Sequence, residues 1–507
     1  MSNPCKNGGR CLPIYDKEDY QCTCPKEYLT GKNCENLFCN DQSLDICLEA
    51  MFSWEVKSTS SQHVVLSSCD TAQIKRGDEL LFMVTRGVLS DYGKYEIMKV
   101  DDVSGCNVTL ADAFTQQVAK RSNYVIAQLF PNYEKVTLSN NCILTCKVQK
   151  DGHGGILALR AKIMNIDGTS KILNTGRGFR GGDGGDSRGG GGYGGESFLY
   201  LQTGNNGKGG DVSGKSWTVN TNGLGGGGAG DSSGSQGGPG GYNAGGGGAD
   251  STHNSDDGAG GGGGGGHFSG GGGGVVQQVV AGLEEKEEQH YLLYVNAFLC
   301  CVSAHRYLRW GWGSDNLFIR ADGGNGGQQG QPAQGACASS ESGRAGTESR
   351  GGEGGDSVCS PGYGGGGAGG GMQFGSTDFT TRLSYGGGGG GGGASAYSDD
   401  TKTGGSGGHG GGLVYLLVEE LTLDGVIESK GQRGQCLSTK PHRSAPGGSG
   451  AGGSVVIITK TLQGNPNGKI NVMGGTPVEC AFGVGGGGGG GVGRWVVKTE
   501  DSLLTSG

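Results

Sequence analysis

The sequence predicts an all-β protein: a small disulfide-rich N-terminal module followed by a β-helix-like, sheet-forming glycine-rich region with polyglycine helices. Three observations lead there. Glycine accounts for 117 of the 507 residues, more than three times the roughly 7% of an average globular chain. The hydrophobic residues, 33% of the total, are gathered in short runs of strand type, as they must be when glycine brings no side chain to a core. Five of the seventeen cysteines fall within the first 34 residues.

Charge and cysteine content exclude several classes of function. A net charge of -8 with pI near 5.6 and no basic stripe argue against a nucleic-acid partner, because phosphate binding needs a cationic face. Seventeen cysteines suit an oxidising compartment, and an odd number leaves at least one without an intrachain partner. Met1-Ser2-Asn3-Pro4-Cys5 runs directly into a module without a cleavable leader. The most apolar stretch, Tyr291 to Val302, is about a dozen residues interrupted by Asn296, short of the roughly 20 that span a bilayer. No membrane span is expected in this chain.

The N-terminal module, residues 1–35, reads Asn3-Pro4-Cys5-Lys-Asn-Gly-Gly-Arg-Cys11, then Tyr20-Gln-Cys22-Thr-Cys24-Pro, then Thr30-Gly31-Lys-Asn-Cys34. These residues closely resemble an EGF-like domain. The resemblance implies a small two-stranded hairpin stapled by disulfides because its core is too small to fold unaided. It also implies the pairing Cys5 with Cys22 and Cys24 with Cys34. In the family pattern Cys11 pairs with a cysteine that would precede Met1, so the module is expected to be truncated at its N-terminus. The calcium signature of the family would lie in that same preceding segment, and no metal is expected here.

Residues 36–150 have ordinary composition and six cysteines, Cys39, Cys47, Cys69, Cys106, Cys142 and Cys146. Alternating runs at 80–84, 95–100, 108–110, 124–129 and 136–138 predict strands of a small cysteine-containing β domain. Asn107-Val108-Thr109 is an N-glycosylation sequon, which makes Asn107 the candidate glycosylation site. Arg76-Gly77-Asp78 spells an integrin-binding tripeptide, but Gly-Asp stands directly before an apolar run and reads as the turn that starts a strand.

From residue 151 to 507 strands alternate with glycine tracts, and the alternation repeats, about 154–316 and 317–507. Arg180-Gly-Gly-Asp-Gly-Gly-Asp-Ser187 recurs as Arg350-Gly-Gly-Glu-Gly-Gly-Asp-Ser357. Pro239-Gly-Gly-Tyr242 recurs as Pro361-Gly-Tyr363, each ahead of four glycines. Three strand units follow diglycine or triglycine leads: Gly155–Arg160 with Ile166–Gly168, Gly412–Val418 with Leu421–Gly425, and Gly453–Ile458 with Ile470-Asn-Val. Units of this kind cannot bury an apolar face alone and are expected to stack, coil on coil, as a solenoid. The runs at 260–266, 386–393 and 485–491 are read as extended threefold polyglycine helices. Bundled side by side they satisfy one another's amides, with Tyr193, Tyr242, Tyr363 and Tyr385 as packing residues beside them. The strand-plus-glycine units, such as Gly154-Gly-Ile-Leu-Ala-Leu-Arg-Ala161, resemble glycine-rich repeats of microbial and invertebrate surface adhesins. The polyglycine runs are similar to the glycine-rich ligand-binding domain of the anaplastic lymphoma kinase receptor family. An EGF-like module joined to such a framework also resembles matrix proteins of invertebrate skeletons and shells, although their aspartate-rich runs are absent.

Several motifs look catalytic without the context that their chemistry needs. Gly209-Gly-Asp-Val-Ser-Gly214-Lys215-Ser216 matches the phosphate-binding loop letter for letter, but Trp217-Thr-Val-Asn-Thr-Asn-Gly cannot supply the following helix. Gly185-Asp-Ser187-Arg-Gly189 and Gly230-Asp-Ser232-Ser-Gly234 match the serine-hydrolase elbow without its flanking strand and helix. The eight histidines form no zinc pattern, and His267 and His409, in glycine tracts, are expected to face solvent. Cys300-Cys301 and Cys142-x-x-x-Cys146 read as structural disulfide cysteines. No enzyme, cofactor or catalytic residue is therefore expected. The sequence predicts a secreted structural or adhesive component of an extracellular matrix, such as a skeletal or shell organic matrix, which self-assembles or engages other matrix proteins or glycans. The alternatives are a glycine-rich ligand-binding ectodomain of a receptor, and a glycan-binding adhesin with Trp310 and Trp312 stacking on sugars.

Overall fold

The computed structural model describes residues 4–39, 53–198, 378–392, 404–436, 446–478 and 487–499 apart from short stretches within them. It also describes the strand backbones at 45–47, 229–231, 234–236, 305–309, 318–322, 356–357 and 503–505. Among the described residues every regular element is a strand. The chain opens with a hairpin of β1 (Arg10–Ile14) and β2 (Asp19–Thr23), then β3 (Leu29–Thr30), β4 (Asn36–Cys39) and β5 (Asp45–Cys47). Six strands follow: β6 (Ser53–Ser60), β7 (His63–Leu66), β8 (Glu79–Arg86), β9 (Tyr95–Ser104), β10 (Asn107–Leu110) and β11 (Tyr124–Phe130). Next come β12 (Asn132–Leu138), β13 (Ile143–Thr145), β14 (Ile156–Ile166) and β15 (Lys171–Leu173), then β16 (Ala229–Asp231), β17 (Gly234–Gln236), β18 (His305–Arg309), β19 (Phe318–Asp322) and β20 (Asp356–Ser357). The last are β21 (Leu413–Leu423), β22 (Val426–Glu428), β23 (Ser454–Gln463), β24 (Lys469–Asn471), β25 (Arg494–Lys498) and β26 (Leu503–Thr505).

Two sheets form a β-helix-like solenoid. In the first, β4, β12, β14, β21, β23 and β25 lie side by side and parallel, with β14 and β21 in register from Ile156–Leu413 to Ile166–Leu423. In the second, β5, β13, β15, β22 and β24 do the same. One coil is a long strand of the first sheet, a tight turn and a short strand of the second. Alternation on the strands sends Leu157, Leu159, Leu416, Val455 and Ile457 inward, where they meet Leu144, Ile172, Ile427 and Ile470 of the short strands. β3 pairs antiparallel with β4, and Leu29 and Cys34 join that core, so the N-terminal module covers one end of the stack. The disulfide between Cys39 and Cys142 joins the first two coils.

The six strands from β6 to β11 close into a barrel inserted between β5 and β12. Leu80, Phe82 and Val84 of β8 fill its interior, while Leu81 and Met83 point out against Ile156, Ala158, Tyr415 and Val456 of the solenoid. Both faces of β8 are therefore covered, which explains the continuous apolar run Leu80–Val84 where a half-exposed strand would alternate. The sheets run through residues 35 and 150, the boundaries expected from sequence: β4, β5, β12 and β13 share them with strands of the glycine-rich region, and only 53–130 form the barrel. β14 and β21, one from each half of the expected duplication, are neighbours. The repeated segments at 350–355, 239–248 and 361–367 lie outside the described residues.

Between coils the chain leaves the short strand and returns to the next long strand through glycine tracts that bond main chain to main chain. Gly386, Gly389 and Gly392 donate to the carbonyls of Gly411, Gly408 and Gly405, and Gly404, Gly407 and Gly410 donate to those of Gly185, Gly182 and Phe179. Gly182 and Gly185 donate to Gly389 and Gly392, while Gly448 and Ala451 donate to Gly390 and Gly387. Every third residue repeats the contact, as the threefold extended helix requires. None of these glycines has a positive φ; they are needed because a Cβ at Gly181, Gly184, Gly388, Gly407, Gly410 or Gly450 would overlap a neighbouring carbonyl. The run at 260–266 lies outside the described residues.

Candidate functional site

The long strands of the first sheet do not run straight. Pairing is interrupted at the same rung in four consecutive strands, so that Glu134, Lys162, Glu419 and Lys460 stand opposite one another outside the ladder while pairing resumes beyond them. Two successive residues are exposed there in β12, β21 and β23, because the break turns what would be an inward side chain out to solvent. A groove of about 580 Å³ crosses the strands at this bend, from Asn132 on one side to Lys498 and Thr499 on the other.

Its floor and rim alternate in charge. Glu134 lies 3.2 Å from Lys6 and 4.0 Å from Lys162, and Glu419 lies 3.7 Å from Lys460. Arg160, two rungs away, is held bidentate by Glu79 of the barrel at 2.9 and 3.0 Å, and its charge is neutralised there. Thr459 is anchored through its hydroxyl to the carbonyls of Thr461 and Glu419 at 2.8 and 3.2 Å. Lys498 is exposed at the end of β25 and, among the described residues, has no ion-pair partner. Tyr133 and Val418 are buried beneath the groove, and no exposed aromatic ring lines it.

The residues singled out in the sequence fall elsewhere. Cys5 is joined to Cys22 and Cys24 to Cys34, while Cys11 carries no disulfide. Cys69 is joined to Cys106, and the Cys146 thiol lies 3.1 Å from the Asn174 side-chain oxygen. Asn107 is exposed where β10 leaves its hairpin. Gly77, at φ +91°, is the turn ahead of β8; Arg76 pairs with Asp101 at 2.8 Å, and the Asp78 carboxylate accepts the Lys75 N–H at 2.8 Å, so its acid is turned back on the loop. His409 is half-buried in the glycine bundle, not solvent-facing as expected; burial and then the Arg180 charge lower its pKa. Tyr385 is buried against Phe179, with ring centres 5.4 Å apart, whereas Tyr193 is 37% exposed. Ser187, Ser232, His267, Cys300, Cys301, Trp310, Trp312, Tyr242, Tyr363 and the loop 209–216 lie outside the described residues.

One constellation escaped the sequence. His153 Nδ1 lies 3.1 Å from the Ser53 hydroxyl and Nε2 2.6 Å from the Tyr124 hydroxyl, one ring nitrogen donating and the other accepting. Both ring nitrogens are tied to the barrel, and the trio pins barrel to solenoid. The nearest sequence signal is Gly152, whose φ of +90° turns the chain beside the Tyr124 ring. Among the described residues no three His, Cys, Asp or Glu side chains converge as a metal site, and no helix is long and apolar enough to cross a membrane.

Comparison with known proteins identifies the N-terminal module: residues 2–33 match the EGF-like domain. A protein described as hepatocyte growth factor activator serine proteases, from Canis lupus familiaris, is 38% identical over 74 residues, which is 15% of this chain and 11% of that protein. The chain therefore spans about a tenth of that relative's length. A solved structure, the Gp54 tailspike of Acinetobacter baumannii bacteriophage AP22 in complex with A. baumannii capsular saccharide, is 18% identical and aligns over 24% of each chain with a TM-score of 0.14.

Proposed function

We propose that this chain is a secreted structural or adhesive component of an extracellular matrix, with skeletal or shell organic matrix as the setting its composition fits. The EGF-like domain supports an extracellular setting. The observation that carries the reading is the bonding of glycine tracts to one another by their main chains. A framework built this way needs few side chains, leaves few amides for a protease to engage and can bear load along several parallel chains at once.

Amide exchange of the purified full chain tests it. Protection of 386–392 and 404–411 comparable to that of β21 is expected; exchange of those tracts within seconds would replace the rigid framework with a tether and sink the proposal. A glycan-binding adhesin is the second reading, favoured by the groove at the strand bends, whose floor presents both hydrogen-bond acceptors and cations.

A further inference from the structure

The groove across β12, β14, β21, β23 and β25 is more selective than a generic polar cleft. Neighbouring parallel strands lie about 4.7–4.9 Å apart, so the bend rung presents one charged residue per step of that size: Glu134, Lys162, Glu419, Lys460. That step is close to the length of one sugar unit in an extended chain. Lys162 and Lys460 lie two strands apart, on the order of 9–10 Å, which is the repeat of a disaccharide. The intervening Glu419 is free to accept hydroxyl hydrogen bonds from the sugar between.

Charge decides which glycan. The pairs Lys162–Glu134 and Lys460–Glu419 are long, at 4.0 and 3.7 Å, and their side chains are about half exposed or more. Exposed pairs of this kind are worth little, so the ammonium groups can leave them for a stronger anion. Lys498 has no ion-pair partner among the described residues. A neutral sugar is usually gripped by an aromatic platform, and the groove has none exposed.

We propose that this groove binds a linear acidic polysaccharide bearing one acid group per disaccharide, laid across the strands along the solenoid axis, with Lys162 and Lys460 engaging successive acid groups and Lys498, on the next strand opposite Ile458 and so two residues off the bend rung, adding positive charge at the end of the groove. The proposal deepens the adhesive reading above and rests on it, naming the ligand class of the groove.

Binding of the full chain to a hyaluronan decasaccharide, which carries carboxylates alone, is measured by calorimetry beside a chondroitin sulfate decasaccharide and a chitin oligosaccharide of similar length. Both acidic probes should bind, weakening as salt is raised, and the neutral one should not. The triple variant Lys162→Ala, Lys460→Ala, Lys498→Ala should lose at least tenfold in affinity, Lys498→Ala alone severalfold, and Lys57→Ala on the barrel nothing. The three lysines are exposed, and an unchanged melting temperature of each variant verifies the fold. Equal binding of the chitin oligosaccharide, undiminished binding by the triple variant, or no binding of either acidic probe overturns the proposal. Because amide exchange reads the glycine framework independently, a protected framework without acidic-glycan binding would sink the groove's assignment and leave the structural reading standing.

Discussion

Glycine in this protein is chosen by what stands opposite it. Gly407 and Gly450 lie with a neighbouring carbonyl oxygen where their Cβ would be, and their backbone is otherwise one that any residue can adopt. Gly168, in the turn between β14 and β15, has only the Asp424 carbonyl at 3.8 Å. Gly407→Ala should therefore destabilise by about 2–3 kcal/mol, as overpacked sites do, and Gly168→Ala should stay within about 0.5 kcal/mol, both read from urea unfolding. Equal effects of the two would show that the tracts are not packed. The charged residues obey a similar logic of position. Asp167 is drawn toward the neutral form by burial, but hydrogen bonds from Ser170 and Thr169 and from the Asn140 and Thr169 amides outweigh that effect and hold its pKa below the usual carboxylate value. A carboxylate with a depressed folded pKa contributes stability that is present above its unfolded value, about 3.9, and is lost as pH falls through the folded value.

At the level of the element, that carboxylate belongs to a stack of turns. Asp167 accepts the Asn140 amide of the preceding coil at 2.9 Å, and Asp424 accepts the Asn465 amide of a following one at 2.7 Å. Each acidic turn residue ties one coil to its neighbour, so losing it should loosen the turn edge of both sheets. Asp167→Asn should lower stability at pH 7 by about 1 kcal/mol and flatten the pH dependence of unfolding below pH 4 relative to the wild type. A variant whose acid limb remained parallel to the wild type would remove Asp167 from this role. The long strands show how an element survives a break in its own pattern. Glu419 and Glu420 interrupt the apolar run of β21, where the sequence alone suggests two strands, Gly412–Val418 and Leu421–Gly425. The chain instead continues as one strand to Leu423, and the second strand of that coil is Val426–Glu428. The two glutamates are the bend, and the bend is the groove.

Across the whole molecule, barrel, solenoid and glycine bundle meet around buried polar and aromatic side chains. Arg86, at the end of β8, is 3.5 Å from Glu196 in a glycine tract, with 2% and 9% of the two side chains exposed. Tyr92 stacks on Phe198, ring centres 4.6 Å apart, and its hydroxyl accepts the Tyr385 amide at 3.0 Å. Arg494 of β25 lies over the Phe379 ring at 4.0 Å and donates to the Arg382 carbonyl at 3.0 Å, which fixes the chain entering the bundle to the last coil. Removing one charge from such a site strands the other. Arg86→Met alone should cost about 3–5 kcal/mol, whereas Arg86→Met with Glu196→Leu should recover most of that loss. A double variant as unstable as the single would mean that the pair does not act as a unit, and chemical denaturation of the three variants decides it.

The sequence by itself determined the local chemistry of the chain. The EGF-like spacing of Cys5, Cys22, Cys24 and Cys34, the barrel strands around Leu80–Val84, Tyr95–Val100 and Tyr124–Leu129, and the threefold X-Gly-Gly rhythm at Arg180 and Asp183 are written in consecutive residues. Periodicity and spacing are properties of neighbours along the chain, and they survive without knowledge of the fold. Tertiary structure alone decided that the barrel is an insertion within a solenoid, that coils begin before residue 36 is far behind, and that Ser53, Tyr124 and His153 meet. It also decided that Glu134, Lys162, Glu419 and Lys460 share one rung. Those four residues are separated by up to 326 positions, and only the in-register stacking of parallel strands, whose hydrogen bonds fix one coil's place on the next, converts that distance into adjacency.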